Sequence, residues 1–333
     1  FGDKYVVMHP DDTRYAQYKH GDTFELEWIN GPITATIIKD ESADPEFGTG
    51  VMTITPWHDL VDFNLAEKYN LDKEQVIDQR GLLLPIAGEF AGTHIKKARP
   101  LIIEKLKNKG LVEKIDENYT HNVSTNSRGG GIIEPQIMRQ WFIDVDKKFK
   151  IKNSKIDGIS TGSETTLKEL MIKSVENAQI EIIPENFKKI YIHWINNLHD
   201  WCISRQIWYG HRIPVWYKGD EIHCDVLPPT GDGWTQDPDT LDTWFSSGLW
   251  TFSTLGWPNK TKDLETFHPT SVLETGYDIL FFWVARMILM STYFMGEIPF
   301  KVVYLHGLIR DGKGRKMSKS LGNIIDPLEM IEK

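Results

Sequence analysis

The chain is 333 residues long with 40% hydrophobic and 26% charged residues, the composition of an ordinary globular protein of two or three domains. Its net charge of −9 excludes a global basic field, so any nucleic-acid contact must be made by a local patch. Two cysteines, Cys202 and Cys224, are too few for a four-cysteine zinc site or a disulfide framework, and point to a reducing, cytoplasmic compartment.

Phe1-Gly2-Asp3-Lys4-Tyr5 carries neither a starting methionine nor a secretory signal, and reads as the middle of a longer protein. Residues 1 to about 55 alternate β-like runs (Tyr5–Met8, Thr23–Trp28, Ile33–Ile38, Gly50–Thr55) with turns at Asn30-Gly31-Pro32 and Asp44-Pro45. A strand-to-helix junction follows at Thr55-Pro56-Trp57-His58-Asp59-Leu60-Val61-Asp62-Phe63. There Asp59 has the chemistry to cap a helix and Asp62 suits its first turn. The same residues can instead group His58, Asp59 and Asp62 around a pocket mouth, where carboxylates hold an ammonium or orient water.

Residues 94–110 read as a helix that Pro100 interrupts or restarts. A turn-rich ribbon with β-like flanks follows at 121–135, in which His121 and Arg128 stand out but carry no partner motif. Residues 161–179 show helical spacing with Ser163 as cap, and 218–236 read as a loop or small insertion. Eight of the twelve tryptophans lie between 194 and 257, and Trp194, Trp201 and Trp208 recur every seven residues as on a helical stripe. His223 beside Cys224 offers too few ligands for a metal. Asp237, Asp239 and Asp242 fit a turn better than a metal site.

The apolar run Ile279–Met295 is short for a membrane span and carries Arg286 near its centre, so a buried helix is expected. Asp278, after Thr275-Gly276-Tyr277, stands at that helix's start, where an acid suits an ammonium group or a ribose hydroxyl. Val302–Ile309 reads as a buried strand delivering the loop from Arg310 to Asn323, with five basic side chains, two serines and three glycines. Glycines let amides approach an anion and lysines bring mobile charge, so the loop is equipped to hold a polyphosphate. A helix is expected from Pro327 to Ile331.

Lys316-Met317-Ser318-Lys319-Ser320-Leu321-Gly322-Asn323, with His306-Gly307 upstream, resembles the KMSKS loop of class I aminoacyl-tRNA synthetases. Gly48 to Phe63 resembles the editing domain inserted into the valyl, isoleucyl and leucyl branch. Asp200 to Tyr217, with its Gly-His before Arg-Ile-Pro, and Asp237 to Pro258, with Ser246 where isoleucyl enzymes carry aspartate, are similar to the valyl enzymes. About nine-tenths of the chain is covered.

The resemblance implies an α/β fold: the second half of a Rossmann-like catalytic domain with a partial, β-rich editing domain inserted in it. The implied divisions are editing domain 1–122, hinge ribbon 123–145, catalytic half 146–309 with the insertion near 218–236, and signature loop 310–333. It implies activation of L-valine by ATP, with Mg²⁺ assisting, transfer to tRNA(Val), and hydrolysis of mischarged threonyl-tRNA. Lys316 and Lys319 would stabilise departing pyrophosphate. Met317, Ser318 and Ser320 would complete the ATP loop, and His306 and Gly307 would sit against adenosine. Trp244 and Trp283 would wall the valine pocket beside Gly276 and Asp278. Thr55, His58, Asp59 and Asp62 would line the editing pocket.

Thr53 and Trp57 depart from the valyl pattern, where lysine and alanine are usual. The family's His-x-Gly-His element has no counterpart in the 333 residues, so weak or no activity is expected of this chain alone. An isoleucyl enzyme, a related nucleotidyltransferase and a non-catalytic tRNA-binding module stay open.

Overall fold

A computed structural model describes residues 1–126 and 130–332, with Ser320 described by its backbone alone. Arg128 lies outside the described residues. The chain forms two compact units, Phe1–Arg139 and Gln140–Lys333.

The first unit is built on a four-stranded sheet of β1 (Tyr5–Met8), β2 (Thr23–Trp28), β3 (Gly31–Lys39) and β4 (Val51–Ile54), in the order β2-β3-β1-β4. β1 runs parallel to β3 and antiparallel to β4. Alternation divides the side chains between two faces. Tyr5, Val7, Ile38 and Ile54 form one core with Leu65, while Val6, Met8, Ala35 and Ile37 form the other with Phe24 and Leu26. Leu65 comes from α1 (Leu60–Tyr69), which starts at Asp59 and closes with Asn70 in a left-handed conformation.

The helix expected to break at Pro100 does not. α2 runs unbroken from Ile95 to Asn108 with Pro100 inside it, started by His94, whose ring accepts from the Lys96 amide. Its buried Ala98 packs against Ile29, Ile77, Leu83 and Phe90, a contact that holds the helix together across the missing donor. His121 is exposed and stacks on Tyr119, 5.7 Å between centroids.

Asp40 shows how the first unit pins α1 to the sheet. Burial alone would push its carboxyl up, but bonds from Lys68 Nζ (2.6 Å), Tyr69 OH (2.7 Å) and the Ser42 amide (2.9 Å) hold it well below the usual carboxylate range. Asp40→Ala should cost about 2 kcal/mol, because the three donors lose a charged acceptor. A depressed folded pKa contributes stability above the unfolded value near ~4, and loses it as pH falls towards the folded value. The gap between wild type and Asp40→Ala in urea midpoint should therefore narrow from pH 7 to pH 3; a constant gap would refute the charge-based account.

The second unit centres on three parallel strands: β5 (Glu181–Ile183), then β9 (Thr270–Gly276) and β10 (Phe300–His306), with β10 in the middle. Around them pack α3 (Leu167–Glu176), α4 (Asn186–Asn196), α5 (Thr243–Gly248) and α6 (Ala285–Phe294), over a core including Leu170, Met171, Tyr191, Phe252, Met287 and Val303. The α3 cap is Thr166, not Ser163: the Thr166 hydroxyl accepts from the Glu169 amide, while Ser163 donates to Ser160 O. α6 is preceded by a short 3₁₀ turn (Tyr277–Ile279) and a π turn (Leu280–Val284). The stretch Tyr277–Phe294 is long and apolar enough to cross a membrane by length and composition alone, and Ala285 to Thr292 are all buried inside this unit.

In and beside residues 218–236, expected as a loop or small insertion, β6 (Val215–Lys218), β7 (Glu221–Cys224) and β8 (Thr235–Gln236) make a small antiparallel sheet. Two further expectations are corrected. Trp194, Trp201 and Trp208 share no helix. α4 ends at Asn196, Trp201 is buried in a short strand paired with Phe142–Ile143, and Trp208 is 95% exposed in a turn. The strand expected at 302–309 is shifted to 300–306. It is not buried throughout: Phe300, Val303 and Leu305 point inward while Lys301, Tyr304 and His306 are exposed.

Candidate active site

β9 and β10 end side by side, with Gly276 opposite His306. The carboxyl ends of parallel strands are where open α/β sheets place ligands. Glycine at 276 leaves room for the acid beside it: a Cβ would stand 2.7 Å from Asp278 Oδ1 and 3.2 Å from Leu308 Cδ2, so both side chains would have to shift. His306 Nδ1 lies 2.7 Å from Gly307 O, and Nε2 lies 3.5 Å from Glu274 Oε1.

The basic loop folds back over these strand ends. Lys316 Nζ donates to Asp278 Oδ2 and forms an ion pair with it. Arg310 donates to the Tyr277 hydroxyl at 2.7 Å and to Gly314 O at 2.9 Å, and Tyr277 stacks on Phe187. Gly276, Asp278, His306 and Lys316 are thus gathered at one place.

Asp311 and Asn323 shape the loop, and neither was foreseen as a site residue. Asp311 accepts from the Lys313 and Arg315 amides, the Arg315 side chain and Asn323 Nδ2. The Asn323 bond and these donors hold its carboxyl well below the usual range. Asn323 also donates to Lys316 O at 3.2 Å and accepts from the Ser318 amide at 2.9 Å, clamping the first half of the signature. The signal in the sequence was Asp311-Gly312-Lys313-Gly314, a turn whose acid has short-range amides to bind. Ser318 caps a short turn at Lys319–Leu321, and Met317 is half-buried beside it.

Trp244 and Trp283 do not face each other as paired rings. Trp244 stacks on Phe282 at 6.0 Å, and Trp283 packs against Trp250 at 6.4 Å. Asp242 sets Trp244 by capping α5, and is itself bonded by Trp201 Nε1 (3.1 Å) and Arg205 (2.7 Å).

In the first unit, Asp62 Oδ2 accepts from the Thr55 amide at 2.7 Å, and burial pushes its carboxyl up. Asp59 is turned to its own helix, accepting from the Val61 and Asp62 amides. His58 Nε2 accepts from the Val76 amide at 2.9 Å, which leaves Nδ1 as the donor to Pro135 O at 3.1 Å; burial pushes this imidazole down. Thr55 and Asp62 are therefore brought together, and His58, Asp59 and Asp62 are all engaged by backbone groups.

The family model for tRNA synthetases class I (I, L, M and V) matches residues 55–228 and 224–333. The chain belongs to the class I tRNA synthetases. Within them it is similar to the valine–tRNA ligase of Bdellovibrio bacteriovorus, 46% identical over 342 residues, covering 100% of this chain and 36% of that protein. It is also similar to that of Pseudothermotoga lettingae, 46% identical over 340 residues, covering 100% of this chain and 37% of the relative. The chain thus spans just over a third of the length of these curated relatives. A solved Agrobacterium radiobacter K84 agnB2 LeuRS-tRNA-LeuAMS complex matches 99% of this chain and 39% of its own, at 16% identity and a TM-score of 0.38.

For this synthetase chain the described residues hold no group of three or more His, Cys, Asp or Glu side chains able to take a metal ion.

Proposed function

We propose that this chain is the part of a valine–tRNA ligase that binds ATP and L-valine and joins them as valyl-adenylate before transfer to tRNA(Val). The observation that carries this reading is the lysine of the signature loop resting on Asp278 at the ends of β9 and β10. Lys316 stands ready to move from a carboxylate to a phosphate. Asp278, once released, can take an ammonium or a ribose hydroxyl.

In this reading the parallel strands of the second unit are half of a Rossmann-like domain, and the first unit is part of an inserted editing domain. The valine carboxylate attacks the ATP α-phosphate and pyrophosphate leaves. Lys316 and Lys319 offset the charge that develops on it, Ser318 and Ser320 steady the loop, and His306 and Gly307 face the adenosine. Trp244 and Trp283 bound the aliphatic side chain, each braced by another ring. Threonine is nearly isosteric with valine, so such a pocket rejects it only by about 10²-fold, the known limit for hydrophobic pockets in this enzyme class. Asp62, its carboxylate set by the Thr55 amide, is then placed to bind the amino group of a mischarged threonyl ester.

Valine-dependent ATP–pyrophosphate exchange by the full-length protein tests the reading. Valine should support exchange about 10²-fold faster than threonine and isoleucine. Faster exchange with isoleucine would replace valine by isoleucine; no exchange with any amino acid would remove the ligase reading.

A further inference from the structure

Arg286 is 6% exposed, yet no hydrogen bond or ion pair reaches it among the described residues, and its Nη1 is buried without a partner. The guanidinium is held only by two rings, 4.0 Å from the centroid of Trp201 and 5.0 Å from that of Phe281. Cation–π contacts of this kind return less than a buried cation loses on leaving water. Burial pushes its pKa down to about 10, which still leaves it charged at neutral pH.

The neighbouring acids are already committed. Asp242, whose charge reaches Arg286, is bonded to Arg205, Trp201 and the Trp244 amide. Asp278 is paired with Lys316, and Asp200 accepts from the Val145 amide. Arg205, the next cation, is paired with Asp242, and no described carboxylate forms an ion pair with Arg286.

Arg286 lines a cavity of about 620 Å³ whose wall also includes Trp194, Phe281, Phe282 and the acids Asp200 and Asp278, the first held by a backbone amide and the second by Lys316. A planar donor without a hydrogen-bond partner is matched by an oxyanion, which a guanidinium grips with two parallel bonds. We propose that this cavity is an oxyanion-binding site, with Arg286 as the anchor for a carboxylate or phosphate of a bound ligand and Trp201 and Phe281 as the supports that hold its fork in place. Among the described residues the other cation of the cavity wall, Arg205, is already paired with Asp242.

The site stands on the cavity and the unpaired guanidinium; only the choice of probes rests on the proposed function. Calorimetric titration of the full-length protein with L-valine, AMP and inorganic pyrophosphate, one at a time, identifies the source of the oxyanion. In Arg286→Met, which keeps the volume and removes the charge, affinity for one probe should fall about 10–100-fold, with the other two within about twofold. Its melting temperature should stay level or rise, because the lost charge had no partner to leave behind.

If Arg286→Met does not fold, Arg286→Lys decides, since it keeps the charge without the fork: a tenfold or greater loss for one probe supports the site, and unchanged affinities overturn it. Affinities unchanged in a folded Arg286→Met overturn it equally. A protein that binds pyrophosphate through Arg286 but shows no amino-acid-dependent exchange would keep this site and lose the ligase reading. Normal exchange with unchanged binding would do the reverse.

Discussion

Lys316→Ala should lower the rate of valine-dependent pyrophosphate exchange by about 10²–10³-fold, the cost of removing one preorganised donor from a developing negative charge. The side chain has no role in folding that would confuse the measurement. Its only described partner is Asp278, and the pair lies towards the surface, where ion pairs contribute under about 1 kcal/mol. The loss should therefore appear in turnover with an unchanged melting temperature. Lys316→Arg should recover part of the rate, since charge returns with a different reach. Exchange within threefold of wild type in Lys316→Ala would mean that the loop binds without contributing to the chemistry.

Phe252→Ala should destabilise the second unit by about 3–5 kcal/mol. Phe252 is fully buried, with ring neighbours Trp257 at 5.3 Å, His268 at 6.2 Å and Phe294 at 6.3 Å. Phe294 belongs to α6, the same helix that carries Arg286, so the ring ties the region around 250–257 to the wall of the oxyanion cavity. Phe252→Leu, which refills most of the space, should recover more than half of the loss. Urea unfolding followed by tryptophan fluorescence checks both, and a loss under about 1 kcal/mol for the alanine variant would show that the site collapses around the hole.

The local parts of this architecture were legible in the chain. Asp59 before an apolar run announced a helix start, and the continuous apolar run Tyr5–Met8 and the alternation in Thr23–Trp28 announced strands, because caps and pleats are set by residues a few positions apart. The tryptophan spacing misled for the opposite reason. A seven-residue interval fits a helix, but Trp201 is fixed by a strand pairing with Phe142–Ile143, about sixty positions earlier, which no local period records. Pro100 misled because tertiary packing of α2 outweighs one missing donor.

The candidate site divides the same way. Lys316 and Asp278 could each be named from their neighbours in sequence, but their pairing across 38 positions could not. Asn323 had the right chemistry for a turn, yet its grip on Asp311, Lys316 and Ser318 depends on the loop closing on itself. Arg286 is the extreme case: what distinguishes it is the absence of a partner among the described residues, a property of the folded surroundings rather than of any motif.

The π turn at Leu280–Val284 acts as a spacer between two pieces of one rod. An α-helix advances about 100° per residue, and a π turn takes one residue more to go round, so the residue count, rather than the bearing, is offset between the segment before it and the segment after it. Asp278 lies on one side of that offset and Arg286 on the other. Removing a single residue from 280–284 would let the rod wind regularly and, because the extra residue of a π turn adds no net rotation, would leave the two charged groups on nearly their present bearings, about 1.5 Å closer along the axis. Length in this short interval is therefore freer than identity: a one-residue deletion is absorbed by unwinding the π turn, whereas a substitution at Asp278 or Arg286 removes the charge itself.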